Sequence, residues 1–282
     1  METADTPLLL VQCKANQSLE DVSKAITNLL KIQSPHDFNI HISLPYSFME
    51  PISKKFANEK MHIGAENLLD TDEGSFTGSI AGKMLKEAKA AFVLIGTAQD
   101  RTSHSATSNH LKNKVKSALE NNVHPFVCIG ETLQEHQDKT AKNILISQLK
   151  DCLEGLSEEE LKNIHLVYNA EWISRTPWEA ESPELQEAYN IFREVVITAL
   201  QPIKFPPSQM LVAVPAYSED ISKLIQSLQA APEPFIGYSL GILGLSSEFL
   251  KPITTMDALP NSESQKTEPL ISDENSINNE NN

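Results

Sequence analysis

The chain has 282 residues, 40% of them hydrophobic, and a formal net charge of −15 at pH 7. That apolar content can fill one large core or two small ones. The acidic balance excludes a sequence-independent grip on nucleic acid or on an anionic membrane, because both need clustered Lys and Arg.

Met1 to Asp5 is acidic and the following apolar run, Leu8 to Val11, is short, so the basic start and long apolar core of a signal peptide are missing. No run approaches the roughly 20 apolar residues that cross a bilayer. Cys13, Cys128 and Cys152 are odd in number, far apart and without a CxxC pair. Neither a disulfide framework nor a zinc site is indicated, and a reducing compartment fits. The expectation is a soluble, cytoplasmic protein with no nucleic-acid or membrane partner.

In chain order, short apolar runs occur at Leu8–Cys13, Phe38–Ser43, Met61–Ala65, Ala91–Ile95, Pro125–Cys128, Ile164–Tyr168, Met210–Val214 and Phe235–Tyr238. They are continuous rather than alternating, as in strands buried on both faces. Amphipathic segments lie between them. In Ser18–Leu30 the residues Leu19, Val22, Ala25, Ile26 and Leu29 recur at helical spacing, and Ser18 with Asp21 marks a helix start. Tyr46–Asn58, Ser79–Ala88, Asn109–Glu120, Thr140–Leu153, Pro183–Leu200 and Glu219–Leu228 read the same way. Eight strand–helix units in this length predict an α/β fold, a single (β/α)8 barrel, with a doubly wound sheet as the rival. Beyond residue 256 the composition changes. Residues 257–282 carry six acidic side chains against Lys266 alone, with many Asn and Ser. Such a segment cannot bury enough surface to offset its ordering entropy, so a disordered acidic tail is expected after a barrel of residues 1–256.

Gly74-Ser75-Phe76-Thr77-Gly78, Ala91 to Gly96 and Cys128-Ile129-Gly130-Glu131-Thr132-Leu133 stand in the order and spacing of the triosephosphate isomerase family. Val11 to Asn16 resembles that family's first strand, and Tyr168-Asn169-Ala170-Glu171-Trp172 its sixth. The resemblance runs from about Leu8 to Ile253. It implies a (β/α)8 barrel that needs no cofactor or metal and interconverts dihydroxyacetone phosphate and glyceraldehyde 3-phosphate. It also implies a homodimer, in which the loop bearing Phe76 and Thr77 reaches the neighbouring subunit. In that family, a standard worked case of acid–base tuning, a Glu is the base, a neutral His the electrophile and a closing loop the lid.

At the matching positions the machinery is mostly altered. Lys14 and Asn16 are retained, whereas Gln12 replaces an Asn. Thr97 stands where the family has its His, and a hydroxyl cannot shuttle a proton at neutral pH. Asn169 stands where the family has its Glu, and an amide is no base. General-base catalysis is worth about 10²- to 10⁴-fold, roughly 3 to 5 kcal/mol. Glu171 shares a strand face with Asn169 and is the alternative base, displaced by about 6 to 7 Å. The phosphate grip is altered as well. The lid Ile173 to Trp178 lacks Gly, Val214-Pro215-Ala216 replaces a Gly-Gly-Ser turn, and Tyr238-Ser239 falls at the last turn. Pro215 has no N–H to donate, and Arg175 is the candidate replacement contact. Glu131 matches a structural family position. His104, His110, His124 and His136 show no metal-ligand spacing. Around the mouth Glu66, Asp100, Glu131 and Glu171 face Lys14, Arg101 and Arg175, a balance that disfavours a phosphate dianion.

Three functions follow from this pattern. The foremost is a catalytically degenerate homologue, a pseudoenzyme serving as scaffold or regulator. The alternatives are a weak or rewired triosephosphate isomerase of glycolysis and gluconeogenesis, with a triose phosphate ligand, and a barrel enzyme acting on a different substrate.

Overall fold

The computed structural model describes residues 7–31, 39–102, 108–170, 172–173, 182–201, 205, 209–214, 235 and 237–241. Eight parallel strands close into a barrel in sequence order, β1 (Leu8–Gln12), β2 (Asn39–Leu44), β3 (Met61–Glu66), β4 (Phe92–Ile95), β5 (His124–Ile129), β6 (His165–Tyr168), β7 (Met210–Ala213) and β8 (Gly237–Gly241). Closure is made by β8 against β1, with Leu8 opposite Gly237 and Gln12 opposite Gly241. The doubly wound alternative is thereby overturned, since an open sheet leaves two edges.

The described helices are α1 (Leu19–Lys31), α2 (Tyr46–Lys55), α3 (Gly82–Glu87), α4 (Ala98–Thr102), α5 (Ser108–Glu120), α6 (Leu133–Gln137), α7 (Ala141–Leu153), α8 (Glu158–Leu161) and α9 (Pro183–Ala199). Three of them, α4, α6 and α8, go beyond the sequence reading. They are too short for apolar periodicity, yet α6 and α8 carry capping boxes, Thr132 with Glu135 and Ser157 with Glu160. The T/S-x-x-E spacing is a signal that the sequence offered. At α1 the expected start is present, with Asp21 Oδ2 accepting from the Ser18 hydroxyl at 2.6 Å and its N–H at 3.1 Å. The helix expected at 219–228 and the tail at 257–282 lie outside the described residues.

Each continuous apolar run divides by alternation into two cores. Leu9, Val11, Ile42, Leu44, Val93, Ile95, Val127 and Ile129 point outward to meet Val22 and Ile26 of α1, Val115 of α5 and Leu145 of α7. Leu8, Leu10, Phe92, Leu94, Phe126, Cys128, Val167 and Leu211 fill the interior. Two glycines set its shape. A Cβ on Gly237 would lie 2.0 Å from the Leu8 carbonyl oxygen, so only glycine lets β8 and β1 meet. A Cβ on Gly64 would lie 2.5 Å from the Phe92 ring, which occupies the space that glycine leaves.

Candidate active site

The carboxyl ends of the strands converge on one mouth, where barrel enzymes place their chemistry. Gln12, at the end of β1, is buried and its Nε2 donates to Ser239 Oγ at 2.9 Å. Lys14 Nζ in turn donates to Gln12 Oε1 at 3.0 Å. The ammonium is thus held in a chain from Ser239 through Gln12, and Asn16 is exposed beside it. Ser239 itself lies within β8, buried, opposite Ala213 of β7. Tyr238-Ser239 is therefore strand and not the turn that was expected, because closure against β1 extends the pairing to Gly241. At β7, the Val214 N–H donates to the Ser239 carbonyl at 3.0 Å, which commits that amide to the barrel.

At β2 and β3, the Ser43 hydroxyl donates to Glu66 Oε1 at 2.9 Å. Burial raises the Glu66 carboxyl to about 7, and the Ser43 hydrogen bond and the Lys14 charge only partly oppose that. Glu66 is the one carboxylate of the sequence tally that the described structure places at the mouth beside Lys14.

Thr97 follows β4 and is half-buried. Its Oγ1 accepts the Asp100 N–H at 3.2 Å and its carbonyl accepts the Arg101 N–H at 3.1 Å. The hydroxyl thus serves as the N-cap of α4. Asp100 is 2% exposed. It accepts from Lys114 Nζ at 2.7 Å, from Asn67 Nδ2 at 2.9 Å and from the Gly96 N–H at 3.2 Å. Lys114 also reaches Asn67 Oδ1 at 2.7 Å, and Asn67 holds a left-handed φ of 80°. Arg101 donates to the carbonyls of Gly96 at 3.0 Å and Cys128 at 3.1 Å. Asp100 and Arg101 are accordingly internal ties. Counting them as mouth charges is corrected, because Lys114 of α5 neutralises Asp100 and the Arg101 guanidinium is engaged by backbone carbonyls.

Asn169 closes β6. Its N–H donates to the Ile129 carbonyl at 2.7 Å, and its side chain acts on the Cys128 thiol, opposing the upward shift that burial imposes. Gly130 packs so closely there that a Cβ would lie 2.6 Å from the Ala170 nitrogen. Gln148 of α7 clamps the same turn, accepting the Gly130 N–H at 2.8 Å and donating to its carbonyl at 3.0 Å. Glu131 is buried, with Oε1 accepting from the Tyr168 hydroxyl at 2.7 Å and Trp172 Nε1 at 3.3 Å. His136 Nδ1 lies 3.2 Å from that oxygen without an aligned hydrogen bond, and its ring packs on Trp172 at 4.7 Å. Phe76 is 54% exposed and Thr77 is also exposed, in the loop between β3 and α3. Glu171, Arg175, Pro215 and Ala216 lie outside the described residues, as does the lid beyond Ile173. Among the described residues no group of three or more His, Cys, Asp or Glu has the arrangement to hold a metal ion. No described helix is long and apolar enough to cross a membrane.

A family model described as triosephosphate isomerase matches residues 7–204, well over half of the chain. The chain belongs to the triosephosphate isomerase family. It is similar to the triosephosphate isomerase of Protochlamydia amoebophila, 34% identical over 168 residues, which are 60% of this chain and 64% of that protein. The match therefore spans less than two thirds of that relative's length. It is 32% identical to the Cytophaga hutchinsonii triosephosphate isomerase over 184 residues, covering 64% of this chain and 73% of the relative. The Alkaliphilus metalliredigens triosephosphate isomerase is 27% identical over 190 residues, 67% of this chain and 77% of that protein. The family's barrel is thus present, and Ser43, Asn67 and Lys114 join the mouth and its support without having been singled out in the sequence.

Proposed function

We propose that this chain is a catalytically degenerate member of the triosephosphate isomerase family, a barrel in which the former reaction site has been taken over by structural contacts. The carrying observation is Thr97. It stands at the position where the resemblance puts the electrophile, and its hydroxyl oxygen is engaged as the α4 cap. The same holds for its neighbours. Asn169 offers an amide where a base is needed, its N–H donating to the Ile129 carbonyl, Lys14 is tied to Gln12, and the Val214 amide is spent on the sheet. Isomerisation needs a base for the proton beside the carbonyl, which an amide cannot be, and an electrophile that can pass a proton between neighbouring oxygens, whereas the Thr97 hydroxyl can donate a hydrogen bond but cannot shuttle a proton at neutral pH.

A scaffold or regulatory role as a homodimer fits the exposed Phe76 at the tip of the loop that the family uses between subunits. Residues 1–256 would form that barrel, 257–282 its acidic extension, and the cytoplasm its compartment. A weak isomerase is the second reading, favoured by the exposed Lys14 ammonium at the mouth. A coupled triose phosphate assay on the full chain separates the two. We expect no turnover above the uncatalysed rate for the chain as it stands, and gain of measurable turnover in a Thr97→His, Asn169→Glu double variant. Turnover by the unmodified chain approaching that of an ordinary isomerase would refute the proposal.

A further inference from the structure

The end of the barrel opposite the mouth is lined by imidazoles. His41 of β2, His62 of β3, His124 of β5 and His165 of β6 come together there with Phe92 and Phe126. The His41 and His62 rings stack at 4.5 Å with planes 29° apart. His124 and His165 lie 4.8 Å apart, and His124 Nε2 is 2.7 Å from His165 Nδ1. Phe126 bridges the two pairs, 5.3 Å from His41 and 4.7 Å from His165, and Phe92 flanks His41 at 5.2 Å. His41 is buried and the other three are half-buried.

This arrangement suits neutral rings. A 2.7 Å N···N contact needs one nitrogen to donate and the other to accept, so the pair holds one proton between them. When both rings are fully protonated, two N–H groups face each other and two cations repel. Stacked His41 and His62 have the same difficulty. For His41, His124 and His165 the described interior offers no counter-charge. Beside the cluster β1 presents Leu8 and Leu10, β4 Phe92 and Leu94, β6 Val167 and β7 Leu211, none of which titrates. From β5 comes Cys128, whose thiol burial pushes up to about 12. The charges acting on His41 come from His62 and His124, and those on His165 from His124 and His41, with no carboxylate among them.

We propose that His41, His124 and His165, with His62 stacked on His41, form an acid-sensitive catch at the end of the barrel opposite the mouth, shut while those three rings are neutral and released when they take up protons. Burial lowers His41 and His165 to about 3 and His124 to about 4. Protons therefore bind the unfolded chain more readily than the folded one. The stability they permit is full above the ordinary value near 6.5 and is lost as pH falls from there toward 4. For one such ring, lowering the pH from 7.5 to 5 reduces the folding constant about 30-fold, and for three acting independently by about 10⁴-fold. Glu66 has the opposite sign in this window, so a Glu66→Gln background isolates the imidazoles.

The test is urea unfolding of the full chain at pH 7.5 and pH 5 in that background, repeated with His41→Phe and with His165→Gln. Each substitution is expected to shrink the pH 7.5 to pH 5 ratio of folding constants by about 30-fold, whatever it does to stability at pH 7.5. A ratio unchanged by both variants would overturn the proposal. Should a variant fail to fold, the imidazole NMR signals of the parent decide. We expect the His41, His124 and His165 signals to stay in the neutral form down to pH 5 while the chain remains folded. Titration of all eight histidines near 6.5 in the folded chain would end the idea.

Discussion

Replacing Glu66 with Gln isolates one carboxyl whose burial works against the fold. In the barrel its carboxyl is raised from an ordinary value of 4.5 to about 7, burial being the main cause. A folded value above the unfolded one means that the native state favours the neutral acid. Its cost is therefore absent at low pH, grows as pH rises from 4.5 to 7, and is constant above that. At about 1.36 kcal/mol per unit, the charged carboxyl costs about 3 kcal/mol at pH 8 and about 1 kcal/mol at pH 5. Glu66 is only half-buried, so water screening makes these upper values. Gln keeps the size and can accept the Ser43 hydroxyl hydrogen bond while carrying no charge. Glu66→Gln should stabilise the chain by up to about 3 kcal/mol at pH 8, or about 6 to 12 °C in Tm, and by much less at pH 5. Urea unfolding followed by tryptophan fluorescence at both pH values, at one fixed protein concentration, reads the difference. An equal gain at the two pH values, or a loss at pH 8, would show that the Glu66 charge carries no such cost.

Three further outcomes are expected. Lys114→Met strands the Asp100 carboxylate, 2% exposed, without its cation and should cost about 3 to 5 kcal/mol in urea unfolding, with Asp100→Asn added to it recovering most of the loss. Thr97→Val removes the α4 cap and should cost about 0.5 to 2 kcal/mol, whereas Thr97→Ser should be near neutral, and neither should alter turnover in the coupled assay. Gly237→Ala would drive a methyl to 2.0 Å from the Leu8 carbonyl oxygen. Far-ultraviolet circular dichroism and size-exclusion chromatography should show loss of the closed barrel, and a soluble, native-like variant would contradict that packing.

Much of the architecture was legible because each strand buried on both faces leaves a continuous apolar run. The strand ends were read to within one residue except at β8, where Phe235 to Tyr238 was expected and Gly237–Gly241 pairs. Phe235 belongs instead to the outer core, 5.9 Å from Phe192 and beneath the Arg193 guanidinium at 4.6 Å. The true strand reads Gly-Tyr-Ser-Leu-Gly, which is too interrupted to register as apolar. Among the site residues, the replacements Thr97 and Asn169 were visible as changes of chemical type at positions of the family pattern. Of their present partners, Asp100 lies only three residues after Thr97 and was within reach of a local reading, whereas Asn169 comes beside Cys128 only through the pairing of β5 with β6.

The sequence by itself determined the family and the order of the eight strand–helix units, because these depend on residue type and spacing along the chain. Tertiary structure alone decided which partners the side chains at the mouth and at the opposite end have. Barrel closure turns every second side chain inward, and only that brings Lys114 to Asp100, links Ser239 through Gln12 to Lys14, and gathers His41, His62, His124 and His165 into one cluster.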